Sequence, residues 1–256
     1  MKFLIFRFYL LKVRQMTINP FMNKYSKQTR QIIAIDCIIF GFDGVNMKLL
    51  VIHRGFEPEM GKWSVVGGFL QADESPEDSA ARILKQQTGL EGVYMQQLKA
   101  FGDPKRDPME RVLSITYFAL IDIDQYTEQL SEEYNPEWFL LKERPELIFD
   151  HNKMVEAALK KIRYMAALHP VLFELLPEKF TLPHLQALYT AVYDFEFDKR
   201  NFSRKVLSAN LLIKQKEKDK EGSKKGAYYY MLDKSQYKDK LQSFLNFVPS
   251  PNNFLL

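Results

Sequence analysis

The chain has 256 residues, 46% of them hydrophobic and 27% charged, with one cysteine, four histidines and a formal net charge of +4. That length suits two domains with a core each, the lone Cys37 excludes an internal disulfide and suits a reducing cytoplasm, and so few cysteines and histidines exclude a zinc-ligand cluster. The charge is uneven: residues 1–21 hold four basic and no acidic side chains, 22–169 hold 18 basic and 22 acidic, and 170–256 hold 14 basic and 10 acidic, which makes the C-terminal part the one suited to a polyanion.

Residues 1–21 are apolar but interrupted by Arg7, Lys12 and Arg14, lack a small-residue cleavage site and are too short to span a bilayer. They read as a non-native or disordered extension ahead of a natural start at Met22, with a membrane-surface helix as the competing reading. Strand-like runs follow at 32–42, 48–53, 63–66, 93–102, 112–123 and 138–141, separated by turn-rich pieces.

Between the third and fourth runs stands a spaced set: Gly68, Glu74, Arg82, Leu84, Gly89 and Leu90. It resembles the Nudix box, whose pattern is Gly, five residues, Glu, seven residues, then Arg-Glu-apolar-any-Glu-Glu-any-Gly-apolar. At the three other glutamate positions stand Ile83, Gln86 and Gln87. Residues at i, i+3 and i+4 share a helix face, so those glutamates would form one anionic cluster for a hard cation. Two amides and an isoleucine cannot do that, and the expectation is a chain without catalytic residues, metal or cofactor. The shape signals remain: Ser75 as N-cap, Pro76 at the first helical position, Glu77 and Asp78 in the first turn and Gly89 as the stop.

A second helix is predicted from Met154 to about Leu168, completing an α+β Nudix sandwich with a mixed sheet over 22–168. Beyond His169-Pro170, Leu182, Leu185, Leu188, Tyr189 and Val192 mark one amphipathic helix, and 198–213 a second. On that second helix Arg200, Asn201, Arg204, Lys205 and Ser208 share an arc opposite Phe202, Val206 and Ala209. A charged stretch, 214–226, is predicted as a hairpin tip leading into a strand at 227–232. Helix, helix and basic wing is the order of a winged helix-turn-helix, placed over 169–248 and followed by a tail, 249–256. Arg and Asn pair bidentately with guanine and adenine edges, so Lys199, Arg200, Asn201, Arg204, Lys205 and Ser208, with Lys224 and Lys225 of the wing, are the predicted contacts to double-stranded DNA.

A Nudix domain followed by a winged helix resembles the Nudix-related transcriptional regulators, and the resemblance runs from about Lys24 to Phe247. It extends to Phe101-Gly102-Asp103-Pro104-Lys105-Arg106-Asp107-Pro108, to Arg111, Ser114 and 117–120, to Phe149-Asp150-His151, and to 180–182 through 200–205. The resemblance implies a cytoplasmic homodimer on a palindromic operator, with no membrane association, in which the Nudix domain senses a small-molecule effector. Some members sense ADP-ribose in control of NAD metabolism; a branch responds to pentoses such as arabinose.

Because the box offers neither a metal cluster nor extra lysines, a pentose is the favoured effector here. The predicted binding set is Arg54, Trp63, Gln86, Gln87, Phe101, Asp103, Arg106, Asp107 and Arg111, with the aromatic rings as a sugar platform. ADP-ribose is the alternative, and an active Nudix hydrolase drawing carboxylates from Glu110 or the acidic stretch 128–137 is the rival from another class. Arg82 is expected to pair with Glu74, and His151 to be a capping or core residue.

Overall fold

The computed structural model describes Tyr25, 27–126, 134–220 and 226–233. The chain divides into two compact units, 1–32 and 33–256. In the first, Tyr25 is exposed; the predicted extension 1–21, Lys224, Lys225 and the tail 249–256 lie outside the described residues.

The larger unit holds all but the first residue of β1 (Ile32–Phe42), then β2 (Met47–His53), β3 (Trp63–Ser64) and β4 (Val66–Phe69), followed by helix α1 (Pro76–Thr88). Then come β5 (Gln96–Phe101), β6 (Val112–Asp122), β7 (Glu137–Leu140) and α2 (His151–Leu168). They form a seven-stranded sheet of order β3-β2-β1-β6-β5, with β4 paired to β1 and β7 to β2. This is the mixed-sheet α+β architecture expected from the sequence.

β1 has little polar alternation because both its faces are buried. Successive side chains point to opposite faces of a strand, so Ile35, Cys37 and Ile39 pack with Ala80, Ile83 and Leu84 of α1, while Ile38, Phe40 and Phe42 pack with Met154, Val155 and Ala158 of α2. α1 forms as its caps dictate: Ser75 Oγ accepts from the Asp78 N–H, and Gly89 takes φ 80°, which glycine adopts at little cost.

The C-terminal half holds β8 (Phe180–Thr181), α3 (Leu182–Tyr193), α4 (Lys199–Ser208), β9 (Leu212–Asp219) and β10 (Ala227–Leu232). The three strands make an antiparallel sheet of order β8-β10-β9. The predicted helix 198–213 is shorter than expected. It ends at Ser208, Asn210 turns left-handed at φ 53°, and Ile213 already lies in β9. Leu211 is buried at the turn, so its burial outweighs the helical periodicity that continued through it. Of the charged stretch predicted as a hairpin tip, residues 214–219 are strand, the continuation of β9. Other differences are small: Val65 separates β3 from β4, β5 starts at Gln96, and α2 starts at His151 rather than Met154.

One hydrophobic core crosses from sheet to winged helix. It runs from Phe40 and Leu49 through Met154, Leu159 and Ile162 of α2 to Leu185, Leu188, Tyr189, Phe202 and Val206. No helix among the described residues is long and apolar enough to cross a membrane.

Candidate functional site

The Nudix box positions are occupied structurally. Ile83 is buried in the α1-side core under Gly68, where an added Cβ would sit 3.0 Å from the Ile83 Cδ1. Gln87 grips backbone: its Nε2 donates to the Gly67 carbonyl at 2.7 Å and its Oε1 accepts from the Gly67 N–H at 3.0 Å. A glutamate has no donor for the first of these bonds. Gln86 Oε1 accepts from Arg82 Nη1 at 3.1 Å. Arg82 in turn donates to both Glu74 oxygens, Nε at 2.8 Å and Nη2 at 2.6 Å, as expected. Those hydrogen bonds hold the Glu74 carboxyl at about 2. This donor set does not fit a divalent cation, and among the described residues there is no metal-ligating group of three or more His, Cys, Asp or Glu side chains.

A concave site lined by charged groups lies on the other face of the sheet, at the start of α2. It is a cleft of about 40 Å³ lined by Asp36, Arg54, Phe56, Ser64, Phe69, Arg106, Asp107, Phe149 and His151, with Gly67 and Gly68 in its wall. Its floor is a buried charge network. Ser114 Oγ donates to Asp36 Oδ2 at 2.5 Å, and Arg106 Nη2 lies 3.5 Å from the same oxygen. Arg106 makes a shorter fork to Asp150, with Nη2 at 2.9 Å and Nε at 3.2 Å from Oδ1. The Arg106 side chain is only 4% exposed, so its charge depends on these two carboxylates rather than on water.

His151 closes the floor. Its Nδ1 accepts from the Val65 N–H at 3.4 Å, which leaves the ring proton on Nε2, 3.9 Å from Asp36 Oδ1. Burial lowers its pKa below the ordinary imidazole value and keeps it neutral. Gly67 is required here, because a Cβ would meet Asp36 Oδ1 at 2.4 Å. Above the floor, the Arg54 guanidinium sits 3.9 Å from the Phe56 ring centroid and 5.1 Å from that of Phe149. Phe56 and Phe69 are both exposed. Two cations, several carboxylates and three aromatic rings thus converge on one small opening.

Of the predicted effector residues, the fold brings Arg54, Arg106 and Asp107 into this cleft. The others are engaged elsewhere. Trp63 packs tilted against His53, ring centroids 3.8 Å apart, and edge-on to Phe139. Phe101 lies on β5 under Lys99, Gln86 and Gln87 serve α1, and Asp103 joins Arg111 by a carbonyl contact of 3.2 Å to Nη1. Sequence reasoning missed Asp36 and Asp150 as the partners of Arg106, and Ser114 as the partner of Asp36. A signal existed for the first: Asp36 is the one charge in the apolar run 32–42. His151 is buried, as expected of a core residue, but it also lines the cleft.

The second site is the exposed face of α4. Asp198 caps the helix, its Oδ1 accepting from the Asn201 N–H at 2.9 Å. Phe202 and Val206 are buried, and Phe202 meets Tyr189 and Phe197 edge-on at 5.8 and 5.5 Å. That aromatic anchor, worth roughly 1.5–3 kcal/mol per buried side chain, turns Lys199, Arg200, Asn201, Arg204, Lys205 and Ser208 to solvent. Arg204 Nη2 donates to Asn201 Oδ1 at 2.8 Å, so the two base-reading candidates hold one another in place. Beside them β9 presents Lys214 and Lys218, with their ammonium groups 3.7 and 4.3 Å from the ring centroid of Tyr228.

Comparison with known proteins finds two family matches along the chain. Residues 30–158 match the NUDIX domain family, and residues 172–232 match the NrtR DNA-binding winged helix domain. The chain is 27% identical over 233 residues to the ADPR responsive transcriptional repressor NtrR of Acinetobacter baylyi, covering 89% of this chain and 93% of that one. The crystal structure of Shewanella oneidensis NrtR superposes with a TM-score of 0.68 at 28% identity, covering 82% of this chain and 97% of the other. The same protein complexed with a 27mer DNA gives a TM-score of 0.67 at 28% identity, with 78% and 93% covered.

Proposed function

Since the chain belongs to the Nudix family and carries an NrtR-type winged helix behind its Nudix domain, we propose that it is a DNA-binding transcriptional regulator whose Nudix domain senses a small molecule rather than hydrolysing one. The observation that carries the reading is the α4 face, where six residues of the types that contact DNA stand exposed on a helix anchored by Phe202 and Val206. The likeness to a protein solved on DNA supports the same role. A homodimer on a palindromic operator belongs to the proposal, with half-sites a helical turn or a multiple apart. The wing completes the grip: Lys214 and Lys218 join Lys224 and Lys225 as phosphate contacts.

ADP-ribose is the effector this reading takes first. The Acinetobacter relative is named as responsive to it, and Arg54 and Arg106 supply cations to the cleft for a diphosphate. A pentose is the second reading, and a particular observation favours it. Arg106 is already held by Asp36 and Asp150, which suits a neutral ligand that displaces no ion pair.

One experiment separates the possibilities. A duplex is selected from a random pool by the purified protein, and its affinity is then measured with ADP-ribose or arabinose present. A ligand that binds the native state also raises the unfolding temperature. Tight, salt-dependent duplex binding altered by ADP-ribose is the expected result. Release of AMP from ADP-ribose with Mg²⁺ at roughly 1 per second or faster sinks the non-enzymatic reading.

A further inference from the structure

Among the described residues four α-helices have N-caps, and one of the four makes no side-chain cap bond. Ser75, Thr181 and Asp198 sit in extended conformations, ψ 160°, 158° and 123°, and each side chain accepts a first-turn N–H. Asp150, the N-cap of α2, has ψ 17° and makes no side-chain cap bond. Aspartate is among the best capping residues, so something stronger holds its carboxylate, and that is the Arg106 fork in the cleft floor. The residue before it is strained: Phe149 takes φ 52°, a left-handed conformation that a bulky side chain rarely adopts. Its ring lines the same cleft.

The far end of α2 is tied to the winged helix. Arg163 Nε donates to the Val192 carbonyl at 2.8 Å, and the Tyr193 hydroxyl donates to the Arg163 carbonyl at 2.7 Å. Both partners lie in the last turn of α3, and α3 and α4 share the Tyr189–Phe202 contact. The helix therefore has the cleft at one end and the DNA-reading unit at the other.

We propose that the Phe149–Asp150 junction is a switch in which an anionic effector takes Arg106, frees the Asp150 carboxylate to cap α2, and moves the winged helix through the Arg163–Val192 and Tyr193–Arg163 bonds. In the state seen here Arg106 holds Asp150, and the junction stays bent. An anion at Arg106 competes for the same donors. The released carboxylate then meets the N–H groups of Asn152 and Lys153, where a cap side chain ordinarily bonds, and the junction extends as it does at the other three caps. A ligand shifts an equilibrium only by its different affinity for two states, and the exchange at Arg106 supplies that difference. The proposal rests on the regulator reading and on an anionic effector for it.

The test uses the full chain, ADP-ribose as the anion and the selected duplex. In Asp150→Asn the amide still caps but no longer neutralises Arg106. This variant is expected to bind DNA without ADP-ribose as wild type does with it, and to respond less than about twofold where wild type responds about tenfold or more. Loss of one buried charge partner threatens folding, so a second variant is needed. Tyr193→Phe removes only the hydroxyl; it should bind ADP-ribose with wild-type affinity and bind DNA alone as wild type does, with its response to ADP-ribose reduced. Wild-type responses in both variants overturn the switch while leaving the regulator standing. Wild type that binds the duplex but ignores ADP-ribose overturns the anionic switch alone, whereas wild type that ignores every duplex overturns the functional reading as well.

Discussion

Gln87 shows why the altered box is more than a set of missing charges. Its amide closes two bonds with Gly67, one donating and one accepting. In Gln87→Glu a carboxylate oxygen faces the Gly67 carbonyl and loses the donating bond, at an expected cost of about 1–3 kcal/mol. The cost should shrink in acid as the new carboxyl regains a proton; urea titrations at pH 7 and pH 4 measure it, and an unchanged midpoint at pH 7 contradicts the assignment. Glu74 gives a second pH prediction. Its folded pKa of about 2 lies below its ordinary 4.5 because Arg82 bonds the ionised form. A depressed carboxyl stabilises the fold fully above about pH 4.5 and loses that contribution as pH falls toward 2. The stability gap between wild type and Glu74→Gln should therefore be widest near neutrality and close near pH 2. His151, lowered by burial from 6.5, adds acid sensitivity of the same sign, since the unfolded chain takes up a proton that the folded ring refuses.

Individual elements carry the DNA prediction. In the proposed interface Arg204 and Asn201 of α4 read bases, and Lys205 with Lys218 of β9 holds phosphates. Arg204→Ala should cost about 1–3 kcal/mol on the selected duplex and relax specificity at one position. Lys218→Ala should weaken all sequences alike and lower the salt slope by about one. If neither variant changes affinity or specificity in fluorescence-anisotropy titrations, this face is not the reading surface. Much of this helix was legible beforehand, because the 3.6-residue period placed Phe202 and Val206 opposite the polar arc. Its C-terminal limit was not. Nothing local distinguishes Leu211 as a buried turn residue from Leu211 as the next turn of helix, and only packing against the rest of the core decides.

At the scale of the whole molecule, the shared core predicts joint unfolding. α2 contributes Leu159 and Ile162 to the cluster that also holds Leu185, Leu188 and Tyr189, so the winged helix shares its core with the α2 side of the Nudix half, whose α1 side keeps a cluster of its own. Both tryptophans, Trp63 and Trp138, lie in the Nudix half. Leu188→Ala, in the winged helix, should nonetheless lower the denaturation midpoint seen by tryptophan fluorescence, with a loss of about 2–5 kcal/mol. A tryptophan transition that ignores this substitution would mean the two cores unfold separately. What the sequence by itself determined was whatever depends on spacing along the chain: the strands, the capped box helix, the altered glutamate positions and the polar arc of α4, since caps and periodicities act over a few residues. Only the tertiary structure decided the cleft. Asp36, Arg106, Ser114, Asp150 and His151 come from β1, a loop, β6 and the start of α2, and a buried arginine selects its carboxylate partners by where the fold puts them, whatever their distance in sequence.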